Sequence, residues 1–88
     1  MLFHITYTVH INHRQQAQDR FTQTGAPPPD GVTMLGRWHS AAGRKGFIIA
    51  ESESAEALFT WTQNWTDHLT FKVTPVVVDE VAARVISA

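Results

Sequence analysis

The sequence contains no cysteine, which excludes disulfides, a thiolate nucleophile and any cysteine-based zinc or iron–sulfur site. It also lacks an excess of either charge. Seven basic and eight acidic side chains leave a formal charge of −1, so nothing draws the chain nonspecifically to nucleic acid or anionic lipid. Long apolar runs are missing too: residues 47–50 and 76–78 fall far short of the ~20 that a membrane helix needs. Residues 1–8 alternate apolar and polar instead of offering a basic stretch followed by an apolar block, so no signal peptide and cytoplasmic residence are the expectations. Size is the last shortage. A single domain of 88 residues buries only ~60–65% of the surface its unfolded chain exposes, a limit that pairing with a second copy would relieve.

What is present is ordinary in bulk, with 43% hydrophobic and 17% charged residues, as in a globular protein. Five histidines make the charge unusually sensitive to pH, since protonating all of them carries the formal total from −1 to +4.

Residues 2–11 alternate with period two, Phe3, Ile5, Tyr7, Val9 and Ile11 on one side and His4, Thr6 and Thr8 on the other, which predicts a strand with one core face. Asn12 with Gln15 reads as a capping box and Gly25 as a stop, giving a helix over 14–24 whose apolar stripe, Ala17 and Phe21, is thin. Such a helix belongs on the surface of a sheet. Three consecutive prolines, Pro27 to Pro29, then make a stiff connector. A β-hairpin follows over 31–51, turning at Gly43. Ser52 and Ser54 are cap candidates for a helix over 55–65 that buries Leu58, Trp61 and Trp65. Residues 70–78 are rich in β-branched side chains, with Pro75 marking a sheet edge or a bulge, and Asp79 caps a short helix over 79–86.

The order βαββαβ with a short C-terminal helix is the split βαβ plan, an α+β domain with an antiparallel four-stranded sheet and both main helices on one face. Right-handed crossovers put the first strand beside the third, with the second and fourth at the edges. The uncovered face is then too apolar for comfortable exposure and too polar for a core, which suits face-to-face packing of two copies. Its composition on the second strand stays open between two parities: Val32, Met34, Gly36 and Trp38, or Thr33, Leu35, Arg37 and His39.

Residues 24–31, the run Leu35-Gly36-Arg37-Trp38-His39-Ser40, Gly46-Phe47, the Trp61 and Trp65 pair and Val73-Thr74-Pro75-Val76 resemble the domain-of-unknown-function 3303 family of short bacterial proteins. The resemblance implies a ferredoxin-like subunit similar to those of the dimeric α+β barrels, in which two sheets pack face to face. It implies no established activity and carries over no catalytic residues.

The densest chemistry is Arg37-Trp38-His39-Ser40. Residues two apart on a strand share a face, so Arg37 and His39 form a candidate catalytic pair able to hold a carboxylate or exchange a proton, with His4 assisting across the sheet. Thr6, Trp38, Trp61 and Trp65 are the candidate ligand contacts. The plainer alternative pairs Arg37 with Glu51 or Glu53, packs Trp38 and leaves His39 at a strand end. A metal site is not expected, because the one close pair, His10 and His13, straddles a strand end and a helix start. His68 beside the tryptophans could ligate haem, but aromatics at helical spacing are core first, so no cofactor is expected. No strained elbow frames a serine nucleophile, and the sheet lacks the aromatic and basic balance of a nucleic-acid binder. The reading is therefore a cytoplasmic homodimer that binds a small molecule or serves as an assembly module. Its alternative is a cofactor-free enzyme, monooxygenase- or isomerase-like, with a site between sheet and helices or between paired sheets.

Overall fold

The computed structural model describes residues 1–88. The elements are β1 (Leu2–Val9), α1 (Arg14–Thr24), β2 (Val32–His39), β3 (Lys45–Ser52), α2 (Ala55–Gln63), β4 (Leu69–Val76) and α3 (Asp79–Ile86). All pairings are antiparallel and the strand order is β2-β3-β1-β4, the arrangement expected from right-handed crossovers. The fold is the expected ferredoxin-like α+β plan. No helix is long and apolar enough to cross a membrane.

Alternation along β1 buries Ile5 and Val9 and turns His4, Thr6 and Thr8 to the other face. Ile5 packs in one cluster with Val32 of β2, Ile48 and Ala50 of β3 and Leu58 and Trp61 of α2, and this cluster is the core. The start of α2 is fixed by serines, as expected: Ser54 Oγ accepts the Ala57 N–H at 3.0 Å. Buried Ser52 donates its hydroxyl to the Gly31 carbonyl at 2.7 Å and accepts the Ser54 N–H at 3.0 Å, joining the end of the proline connector to the helix.

Several local expectations fail for identifiable reasons. Asn12 is not an N-cap: it takes φ +69°, serving the left-handed turn out of β1, and His13 becomes the cap residue without a side-chain cap bond. Ile11 lies beyond the end of β1 and is 73% exposed. Helix α2 ends at Gln63, so buried Trp65 sits in the following turn. At α3 the cap position is Val78, and Asp79 with Glu80 occupies the first turn, where the helix dipole favours negative charge.

Helix α1 buries only Ala17 and is attached mainly by polar bonds. Arg20 forms a two-pronged ion pair with Asp67 (3.0 and 2.6 Å), donates to the Asn64 carbonyl at 2.9 Å and lies over the Trp65 ring at 5.2 Å. At its start, His13 Nδ1 and His68 Nδ1 are hydrogen-bonded at 2.8 Å.

The Arg20 hydrogen bonds hold the Asp67 carboxyl down to about 2, well below its ordinary value. Because the folded value is the lower one, the unfolded chain takes up the proton first. The stabilisation is therefore full above about pH 4 and is lost as pH falls toward about 2. The pair is half-exposed, which limits its worth to about 1 kcal/mol or less. We expect Asp67→Asn to lower stability by that amount at pH 6 and to lose less stability than the unmodified chain between pH 4 and pH 2, both read by urea denaturation. Equal stability of the two at pH 6 would show that the ion pair does not hold α1.

Candidate functional site

The second strand settles which side chains share a face. Val32 and Met34 stand opposite Ser52 and Ala50, but the register then shifts between Met34 and Gly36, and Leu35 takes no partner. Beyond this bulge Arg37 opposes Ile48 and His39 opposes Gly46 on the helix side, while Gly36 opposes Ile49 and Trp38 opposes Phe47 on the open side. Neither single parity holds along the whole strand; each describes one half of it.

Arg37 and His39 therefore border a cavity of about 380 Å³ between sheet and helices, as do Trp61 and Trp65. Its floor is Ile5, Tyr7, Ile48 and Phe71, and Ala17 and Phe21 of α1 form the roof. His4, Thr6 and Trp38 lie on the opposite face of the sheet, so His4 and Arg37 do not share a surface. There the Trp38 indole folds back over Gly36, where any Cβ would collide with it, and stacks on Phe47 at 5.1 Å. The His4 ring is 5.5 Å from Phe47, and Thr6 is its cross-strand partner.

The cavity has one polar end. Tyr7, Gly46 and His39 lie in register across β1, β3 and β2. The Tyr7 ring crosses directly over Gly46, where a Cβ would strike it, and its hydroxyl reaches His39 Nδ1 at 2.6 Å. Phe21 meets the His39 ring edge-to-face at 5.4 Å. Arg37 pairs with neither Glu51 nor Glu53. Its Nη1 donates to the Ala26 carbonyl (2.8 Å) and its Nη2 to that of Gly25 (2.9 Å), and its guanidinium lies 5.0 Å from the Phe21 ring. Gly25 and Ala26 both have positive φ, +72° and +43°, which turns successive carbonyls toward the one guanidinium. Glu53 instead accepts from the amino terminus at 2.6 Å.

Desolvation raises the Tyr7 phenol above its ordinary value, opposed by the positive charge of Arg37; desolvation likewise lowers Arg37, opposed by Tyr7. Tyr7 is a site residue that alternation along single strands does not single out. Its signal was the glycine at position 46, which stands opposite both Tyr7 and His39 and leaves room for an aromatic ring between them. The remaining histidines do not assemble a metal centre: His10 bonds the Thr70 hydroxyl at 2.8 Å, His13 bonds His68, and no group of three metal-ligating side chains converges.

Tyr7 is the only tyrosine in the sequence, so phenolate absorbance reports it alone. Its midpoint should lie above ~10, and removing the Arg37 charge in Arg37→Met should move it higher still. Since the folded value is the raised one, the linked stabilisation is present below ~10 and is lost as pH rises through the folded midpoint. Gly46→Ala, whose methyl would strike both the Tyr7 ring and the Trp38 carbonyl oxygen, should cost about 3 kcal/mol or more through overpacking and return the midpoint toward ~10 by pushing the ring outward. A midpoint at or below ~10 in the unmodified protein would contradict the desolvated placement.

Comparison with known proteins adds fold and family. A crystal structure of an uncharacterized NIPSNAP domain protein from Burkholderia xenovorans is similar to this chain, with a TM-score of 0.51 at 8% sequence identity, covering 90% of this chain and 96% of that one. No curated protein matches the chain. The profile of the family described as Domain of unknown function (DUF3303) matches residues 1–88, and the chain belongs to that family.

Proposed function

We propose that the chain is a cytoplasmic, homodimeric small-molecule-binding protein whose ligand occupies the cavity beneath α1. The observation that carries this reading is the cavity itself: about 380 Å³ of mostly apolar space, walled by Trp61, Trp65, Phe21 and Phe71, with polar groups gathered at one end. An apolar concavity with a few convergent polar groups is the usual form of a small-molecule site.

The pairing rests on the opposite face of the sheet. Only ten of the 88 residues are buried, so a monomer leaves much of its apolar surface wet. Trp38 is 51% exposed, the Phe47 ring stacked on it and the bulge residue Leu35 are exposed too, and α3 buries none of its side chains. A second copy brings a matching apolar face by symmetry, which is the simplest cover for such a surface.

A second reading, a cofactor-free enzyme acting on a molecule in this cavity, is favoured by the Tyr7–His39 hydrogen bond. A phenol bonded to an imidazole is a pair that can move a proton to or from a bound molecule. On this reading a molecule recovered with the protein is converted on incubation, and Tyr7→Phe stops the conversion without releasing it.

Native mass spectrometry of the purified protein tests subunit number and retained ligand together. We expect a dimer, and Trp38→Glu should give a monomer by placing a charge in the interface. A clean monomer of the unmodified chain at micromolar concentration would end the paired-sheet reading. For the cavity, Ala17→Phe should fill the space below α1 and abolish uptake of an apolar fluorescent dye excited by energy transfer from the tryptophans. Undiminished uptake would place the dye elsewhere.

A further inference from the structure

We infer that the ligand of this cavity is an aromatic carboxylate, its rings lying among the aromatic walls and its charge at Arg37. This rests on the cavity reading above and specifies the chemistry of its occupant.

The walls set the body of the ligand. A cavity of about 150 Å³ holds benzene, so one of about 380 Å³ admits two fused rings. Phe21, Trp61, Trp65 and Phe71 line it, and such rings pack best against another aromatic ring, stacked or edge-on.

Charge sets the functional group. Arg37 is the only side chain on the cavity wall with a permanent charge, and neither aspartate nor glutamate lines it. The acids elsewhere do not supply the missing partner: the ion pairs of the chain join the amino terminus to Glu53 and Asp67 to Arg20 and His68, and none includes Arg37. The groups that Arg37 does hold are neutral, the carbonyls of Ala26 and Gly25. A guanidinium carries five N–H donors, so these two bonds leave three, the one on Nε and one on each terminal nitrogen. A half-buried cation with spare donors beside an apolar space lacks an opposite charge. A ligand carboxylate supplies that charge without breaking the bonds that hold the end of α1, and where apolar rings exclude water the attraction is screened less than at an open surface. A cationic ligand is repelled, and a neutral one leaves the Arg37 charge as it was.

The neighbouring pair supports this choice whichever ring nitrogen of His39 carries the proton. The Phe21 ring lies 5.0 Å from the Arg37 guanidinium and 5.4 Å from the His39 ring, so Arg37 and the Tyr7–His39 pair share one end of the cavity. If the Tyr7 phenol donates to Nδ1, the imidazole keeps an N–H on Nε2; if Nδ1 donates to the phenol oxygen, the phenol keeps its own O–H. Either way one donor and one acceptor are left over. The pair alone therefore selects no functional group, but it has a proton to share with an anion that the Arg37 charge selects.

The test is an NMR titration of the full chain at pH 7, following the indole N–H signals of Trp61 and Trp65. Its probes share one body and differ in charge: 2-naphthoate, 2-naphthamide and the cation of 2-naphthylmethylamine. We expect 2-naphthoate to bind about tenfold or more tightly than 2-naphthamide, the worth of a hydrogen bond to a charged group, and the cation to bind weakest. Arg37→Met should abolish the preference for 2-naphthoate over 2-naphthamide, while Arg37→Lys, which keeps the charge, should retain part of it. If 2-naphthamide or the cation binds as tightly as 2-naphthoate, the carboxylate inference is overturned and the cavity reading stands, a comparison that holds even should Arg37→Met not fold. If Arg37→Met weakens 2-naphthoate and 2-naphthamide equally, Arg37 serves only to hold α1 and its assignment as the anion partner is overturned. If none of the three probes moves the Trp61 and Trp65 signals, the cavity reading fails and this inference fails with it.

Discussion

Helix α1 is too polar to pack, and the rest of the site follows from that. Its eleven residues offer Ala17 and Phe21 toward the sheet and little else. A helix with so narrow an apolar stripe gains little from close contact, because burial stabilises in proportion to the apolar area removed from water. It is held instead by directed bonds: His13 to His68 at its start, Arg20 to Asp67 in its middle and Arg37 to the carbonyls of Gly25 and Ala26 at its end. Fastenings at the margin fix where a helix lies without filling the space beneath it. Helix α2, which buries Leu58 and Trp61, closes its half of the sheet into core, and the half beneath α1 is left as a cavity.

The polar end of that cavity depends on two departures from regular strand structure. The bulge at Leu35 moves Arg37 and His39 to the helix side, and without it Trp38 would face the roof in their place. Gly46 then supplies the missing side chain that lets Tyr7 span a whole strand. A single methyl group there would separate the phenol from the imidazole, so the hydrogen bond is a property of three strands in register and not of two adjacent residues.

These features explain what the sequence could and could not disclose. Period-two and helical patterns depend on which residues see water, and they locate the elements and the burial of Ile5, Leu58, Trp61 and Trp65, while the handedness of crossovers gives the strand order. A bulge adds one residue without altering composition, which is why alternation alone leaves the face of Arg37 and His39 open between two parities and the register decides it. Asn12 illustrates the same limit at a helix start: asparagine suits both an N-cap and a left-handed turn, and only the path from β1 into α1 decides between them. Tyr7 and His39 lie 32 positions apart, and no local pattern joins them. Arg37 had acidic candidates close by in the sheet, but the carbonyls that hold it become partners only after Gly25 and Ala26 turn left-handed.

The β2–β3 hairpin belongs to both sides of the sheet, and this links the two parts of the proposed function. His39 ends β2 against the cavity, while its neighbour Trp38 faces outward on Phe47. Adjacent strand residues point to opposite faces of one backbone, so a force that orders Trp38 also fixes the backbone that carries His39. In a homodimer that covers the open face, packing on Trp38 and Phe47 would hold the edge strand β2 against β3 and, through it, hold His39 where Tyr7 can reach it. A dissociated subunit would keep the cavity floor, which is anchored in the central strand β1, but would lose the constraint on the strand that supplies its polar end. Pairing and ligand selection would then be coupled through a single edge strand, with the geometry of the Tyr7–His39 contact as the quantity that pairing would control.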